Sequence, residues 1–103
     1  MATFCFDLDN TLCRTKGTDY TSSEPMYDRI EHVNGLYELG HTVIIHTARG
    51  SLTGLDLENL TRTQLQDWGV KYHHLQLGKP AADYYVDDRA IHSEEYQWSN
   101  LTD

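Results

Sequence analysis

A chain of 103 residues, 39% hydrophobic and 23% charged, suffices for one packed domain over residues 1–103 and is too apolar to stay disordered. Its net charge of −8 argues against a basic face that tracks a nucleic-acid backbone, and no apolar run nears the ~18 residues of a membrane span. The start, Met1-Ala2-Thr3-Phe4-Cys5-Phe6-Asp7, lacks the basic opening of a secretory signal. The two cysteines, Cys5 and Cys13, lack Cys-x-x-Cys spacing and read as free thiols of a cytoplasmic protein.

In chain order, Thr3-Phe4-Cys5-Phe6 is a short run of β-formers that ends in acidic residues and predicts a buried strand. Leu12 to Ser23 is rich in Thr, Ser and Gly and predicts a loop. Glu24-Pro25 opens a helix in which Met26, Ile30, Val33 and Tyr37 share a face, and Gly40 stops it. Thr42 to His46 is β-branched and nearly continuous, which suits a strand covered on both faces. After a loop over 48–54, Asp56 caps a second helix with Leu57, Leu60, Leu65 and Trp68 on one face and Gly69 at its end. Val70–Leu75 and Tyr84–Val86 predict two further strands. Ser93-Glu94-Glu95 starts a last helix, with acidic residues where the helix dipole favours them. Strands alternating with helices imply right-handed crossovers and a parallel sheet of four or so strands in a three-layer, Rossmann-like α/β fold.

In such sheets the site lies at the carboxyl ends of the strands. Those ends carry Asp7 and Asp9, His46 and Thr47, Lys79, and Asp87 and Asp88. Four converging carboxylates would repel one another, and a hard divalent cation held by oxygen ligands, Mg²⁺, removes the conflict. With Lys79 added, the site would accept a dianion such as a phosphate monoester. Asp7 and Asp9, two apart at a strand end, would share a face. One carboxylate can then attack phosphorus while the other moves protons, dividing hydrolysis into two easier steps.

Asp7-Leu8-Asp9-Asn10-Thr11-Leu12 resembles the first motif of the haloacid dehalogenase superfamily. Thr47 after its apolar strand resembles the second, Lys79 within Gly78-Lys79-Pro80 the third, and Val86-Asp87-Asp88 the fourth, all in family order. The resemblance implies Asp7 as nucleophile and metal ligand, and Asp9 as general acid/base with its backbone carbonyl on Mg²⁺. It implies Thr47 and Lys79 on the phosphoryl group, and Asp87, with Asp88 close by, completing the metal shell. Asn10, Thr11 and Arg49 are candidate substrate contacts. The second aspartate separates phosphatases of the family from its dehalogenases, because a departing halide needs no proton.

The 35 residues between Thr11 and Thr47 and the 31 between Thr47 and Lys79 leave no room for a cap domain. The chain therefore resembles the capless members, whose open sites meet bulky substrates or are shielded by a homo-oligomer. The residues around Thr47-Ala48-Arg49 are similar to those of short bacterial members tied to surface-polysaccharide synthesis and of polynucleotide 3′-phosphatases. The acidic surface favours a small phosphorylated metabolite, such as a sugar or polyol phosphate, over a nucleic-acid end.

Taken singly, these residues have plainer readings. Lys79 alone would be a surface lysine, Asp87-Asp88 a solvated turn, and Arg49, Arg14 and Lys16 surface cations. His46 reads as structural, and His73-His74 would face opposite sides of a strand. Met26, Tyr37, Trp68 and Trp98 read as core. A receiver domain, which also gathers acids, a hydroxyl and a lysine on a parallel sheet, is the non-enzymatic alternative, although its acidic pair and phosphorylated aspartate come in a different order.

Overall fold

The computed structural model describes residues 1–50 and 56–99. The elements in order are β1 (Thr3–Asp7), β2 (Cys13–Arg14), a 3-10 turn (Tyr20–Ser22), β3 (Glu24–Pro25), α1 (Tyr27–Glu38), β4 (Thr42–Thr47), α2 (Glu58–Asp67) and β5 (His74–Leu77). Among the described residues the main sheet has three strands rather than four, in the order β1-β4-β5, and every pairing is parallel. β2 and β3 form a separate antiparallel ladder, Cys13 opposite Pro25.

Two starts differ from expectation. Pro25 has no N–H and fits the two-residue β3, so α1 begins only at Tyr27, with Arg29 and Ile30 donating to the Met26 carbonyl. The strand expected over Val70–Leu75 is shifted to His74–Leu77, because Val70 is buried in the core as the chain leaves α2. Gly40 and Gly69 end the two helices with φ of +94° and +71°, the left-handed backbone that favours glycine.

Register and alternation assign the faces. Phe4, Phe6, Val43 and Ile45 lie on one face and pack with Ile30, Val33 and Leu36 of α1 and Leu65 of α2 into a single apolar cluster. Consecutive strand order with right-handed crossovers puts both helices on that side. On the other face Cys5, His74 and Gln76 are exposed, while Ile44 and His46 are half-buried. The apolar run of β4 is thus covered fully on one side only, contrary to the expectation of two covered faces.

Beyond β5 the chain adds no strand among the described residues. Tyr84, Tyr85 and Val86 are 86%, 49% and 98% exposed. The helix expected at Ser93 is a single turn, in which the Glu95 and Tyr96 N–H groups donate to His92. It delivers Tyr96 and Trp98 onto Phe6 and His32, with Arg29 over the Trp98 ring. His32 Nδ1 donates to the Ser99 carbonyl at 2.8 Å, so in the neutral ring Nε2 accepts from the Tyr96 hydroxyl, also at 2.8 Å. Burial pushes the Tyr96 phenol up from its ordinary value. No helix among the described residues is long and apolar enough to cross a membrane.

Candidate active site

The carboxyl end of β1 opens into a tight loop. The Leu8 carbonyl accepts from the N–H groups of Thr11, Leu12 and Cys13, and Asn10 turns the chain at φ +62°. Leu8 and Leu12 are fully buried and anchor this loop in the core. Asp7 and Asp9 on either side of Leu8 are therefore held firmly, but with different partners.

Asp7 Oδ2 accepts from the Thr11 hydroxyl at 3.3 Å, and Oδ1 lies 3.4 Å from Lys79 Nζ. Lys79 arrives through Gly78, whose φ of +90° turns the chain after β5, and its N–H donates to the Thr47 carbonyl at 3.1 Å. Its ammonium also sits 4.3 Å from the centre of the Tyr85 ring. Asp7, Thr11 and Lys79 are thus brought together, with the Thr47 backbone beside them. The Thr47 side chain is buried on the helix side, and its hydroxyl accepts the Arg49 N–H at 3.1 Å. The hydroxyl proton is the donor Thr47 has left to offer.

Asp9 takes a different path. Both of its oxygens accept from Arg49, at 2.9 and 3.0 Å, and Oδ1 also accepts from the Thr15 hydroxyl at 2.7 Å. All five N–H donors of Arg49 are committed: three to Asp9 and Ser23, two to Thr61 and Gln64 of α2. The Tyr20 ring covers the guanidinium at 4.7 Å. Arg49 is neither a surface cation nor a group poised on a substrate. It is a buried brace tying β1's loop, residues 15–23 and α2 together. Asn10 likewise holds the loop, its side-chain oxygen accepting from the Thr15 N–H at 3.1 Å.

Cys13 is buried beneath this brace, and burial raises its thiol pKa, with the Thr15 hydroxyl opposing. Burial also raises Cys5, with Lys79 opposing.

Asp87 and Asp88 do not join Asp7. Asp87 accepts from the Arg89 N–H at 2.8 Å, a bond that holds its carboxyl below the usual range, and Asp88 is an exposed residue beside Arg89. Among the described residues no three acidic, histidine or cysteine side chains gather as a metal site. Within one chain the four expected oxygens therefore do not fit a Mg²⁺ shell. The Asp87-Asp88 pair stands elsewhere, while Arg49 takes the Asp9 carboxylate and leaves its backbone carbonyl, the expected ligand, untouched.

The residues the sequence left unremarked are Thr15, Ser23, Thr61 and Gln64. Thr61 and Gln64, three apart on α2, are buried beside Leu65, while of the face expected to meet the core Trp68 packs against it and Leu57 and Leu60 are half-buried. A polar pair at helical spacing beside buried Leu65 is the signal that could have marked a buried cation.

The described fold is an α/β structure with a small parallel sheet and two helices on one side of it. No family model matches the chain, and no curated protein does. Among solved structures it is similar to a crystal structure of a structural-genomics target from Vibrio cholerae, with a TM-score of 0.85 and 29% identity. The match covers 98% of this chain and 91% of that one.

Proposed function

We propose that the chain is a phosphomonoester hydrolase of the haloacid dehalogenase type, with a Rossmann-like core and a cytoplasmic setting. The observation that carries this reading is Asp7 at a strand's carboxyl end, with one oxygen 3.4 Å from the Lys79 ammonium and the other on the Thr11 hydroxyl. A carboxylate so oriented is a suitable nucleophile, and an adjacent ammonium offsets the charge of an incoming phosphoryl group.

An Asp7 oxygen attacks phosphorus, the phosphorus–ester oxygen bond breaks, and the leaving oxygen takes a proton from Asp9. Water then attacks the aspartyl-phosphate and gives a proton to Asp9, freeing phosphate and Asp7. Asp9 reaches this role by rotating away from Arg49, which otherwise fixes both its oxygens, and taking up a proton from water before the first step. Lys79 contacts the transferring group, and the Thr47 carbonyl holds the Lys79 backbone in place for it. Mg²⁺ belongs to the proposal on the hard-oxygen chemistry of the aspartates. A single chain does not gather its shell among the described residues. The net charge of −8 favours a small phosphorylated metabolite, such as a sugar or polyol phosphate.

The test is phosphate release from sugar phosphates, polyol phosphates, nucleotides and 3′-phosphorylated oligonucleotides, with and without Mg²⁺. Turnover of a small phosphate ester is expected, lost in Asp7→Asn with the circular dichroism unchanged. Hydrolysis by Asp7→Asn at the wild-type rate would overturn the mechanism. Turnover of the oligonucleotides alone would replace the substrate class, and a phosphoprotein stable for minutes without turnover would favour a receiver.

A further inference from the structure

Tyr84-Tyr85-Val86 is a run of strand formers with no strand partner among the described residues; Tyr84 and Val86 are 86% and 98% exposed, and Tyr85 rests on Lys79 and Pro80 of its own chain. β1 is an outer strand, paired on one side with β4 alone among the described residues, so its other edge presents backbone groups. The chain cannot lay this run parallel to β1 on that edge itself. Returning to run parallel to β1 takes a crossover of roughly a dozen residues or more. Only residues 78–83 separate Leu77 from Tyr84, and Lys79 is pinned at the carboxyl end of the sheet by the Thr47 carbonyl and Asp7. Within the sheet β1 and β4 are joined by residues 8–41, and β4 and β5 by residues 48–73.

We propose that the chain forms a two-fold dimer by strand exchange, in which residues 83–87 of each copy add to the β1 edge of the other. Exchange of an identical element is a low-cost route to a symmetric dimer. The parallel register that sets Asp87 beside Asp7 sets Tyr85 beside Cys5 and buries Val86 next to Phe6. It also brings Asp87 and Asp88 of one protomer to Asp7 and Lys79 of its partner. Each active site is then shared, and the acidic pair missing from the single chain comes from the second copy. The dimer itself rests on chain geometry. Only the chemistry of the shared site rests on the phosphatase reading.

The register makes native Cys5 a built-in reporter. Tyr85→Cys is expected to give, on oxidation, a covalent dimer that reductant dissolves and that Cys5→Ser prevents, because paired strand residues lie within disulfide reach. The unmodified protein should scatter light as twice its 11.9 kDa chain mass. A monomer by light scattering, or a Tyr85→Cys disulfide that closes within one chain, overturns the proposal. Activity supplies a second arm. Asp7→Asn and Asp87→Asn, each inactive alone, are unfolded and refolded together in equal amounts. Random pairing leaves one intact site in half of the dimers, so about a quarter of the wild-type activity should return. No recovery, with wild-type protein active, overturns the shared site. If wild-type protein hydrolyses none of the esters, the phosphatase reading fails while the cross-link still decides the dimer.

Discussion

Arg49 grips Asp9 through two nitrogens, Nε to Oδ2 at 3.0 Å and Nη2 to Oδ1 at 2.9 Å, from a side chain with no exposed surface. The guanidinium fork matches both carboxylate oxygens and still reaches Thr61 and Gln64, which a lysine ammonium cannot do. Removing it leaves Asp9 partnered only from one side and strands the buried Gln64 side-chain oxygen, while Thr61 keeps its bond to the Leu57 carbonyl. Arg49→Ala should cost about 3 kcal/mol, within the range for breaking a buried pair. Arg49→Lys should recover less than half of that. Urea midpoints of the three proteins check this, and equal midpoints for Arg49→Lys and wild type would show that the fork contributes nothing.

Lys79 calls for the opposite result. Its ion pair with Asp7 is partly exposed, the two side chains being 20% and 36% accessible, so Lys79→Met should change stability by less than about 1 kcal/mol. Under the proposed chemistry the ammonium acts on charge in the transition state. Its loss should lower kcat by about 10²- to 10³-fold, with KM moving much less. Steady-state kinetics beside a urea curve separates these effects, and a large loss of stability with kcat unchanged would make Lys79 structural.

What was legible in the sequence divides along a physical line. β4 and the two helices are local patterns: β-branched residues at 42–47, and helical spacing ended by Gly40 and Gly69. They read directly. Tyr84–Val86 has the composition of a strand, but whether it pairs depends on the six residues connecting it to β5, which no propensity records. Arg49 was hidden for another reason. A buried arginine is recognisable only once its acceptors converge, and these come from Asp9, Ser23, Thr61 and Gln64, far apart in the chain. The pairing of Asp7 with Lys79 follows from parallel strand order, which brings the carboxyl ends of β1 and β5 to one side of the sheet. Asp87 and Asp88 depart from that pattern because no strand of their own chain carries them there.

Gly78 tests how that pairing is delivered. At φ +90° it occupies backbone that other residues rarely adopt, although a Cβ there would meet nothing within 4 Å. Gly78→Ala should therefore cost backbone strain alone, about 1 kcal/mol. The strain would be relieved by moving Lys79 away from Thr47 and Asp7. The expected result is a modest fall in the urea midpoint with a larger proportional fall in turnover. A stability change with turnover intact would show that the turn is not what positions the ammonium.

Cys13 provides the pH dependence. Its thiol lies under the Asp9–Arg49 brace, fully buried, and burial holds its pKa above the ordinary 9.0. The unfolded chain releases this proton as pH rises past about 9, whereas the folded protein retains it until its own higher pKa is passed. The folded state therefore binds more protons across that window. The contribution is complete below pH 9 and declines as pH rises through the folded value. Cys5 and Tyr96, whose values are also raised, act in the same direction. Unfolding free energy should fall between pH 8 and pH 10, and Cys13→Ala, less stable at pH 8 by about 1 kcal/mol through its lost packing, should fall less steeply. Parallel slopes for the two proteins in urea titrations at these pH values would show that the Cys13 thiol ionises alike in the folded and unfolded chain.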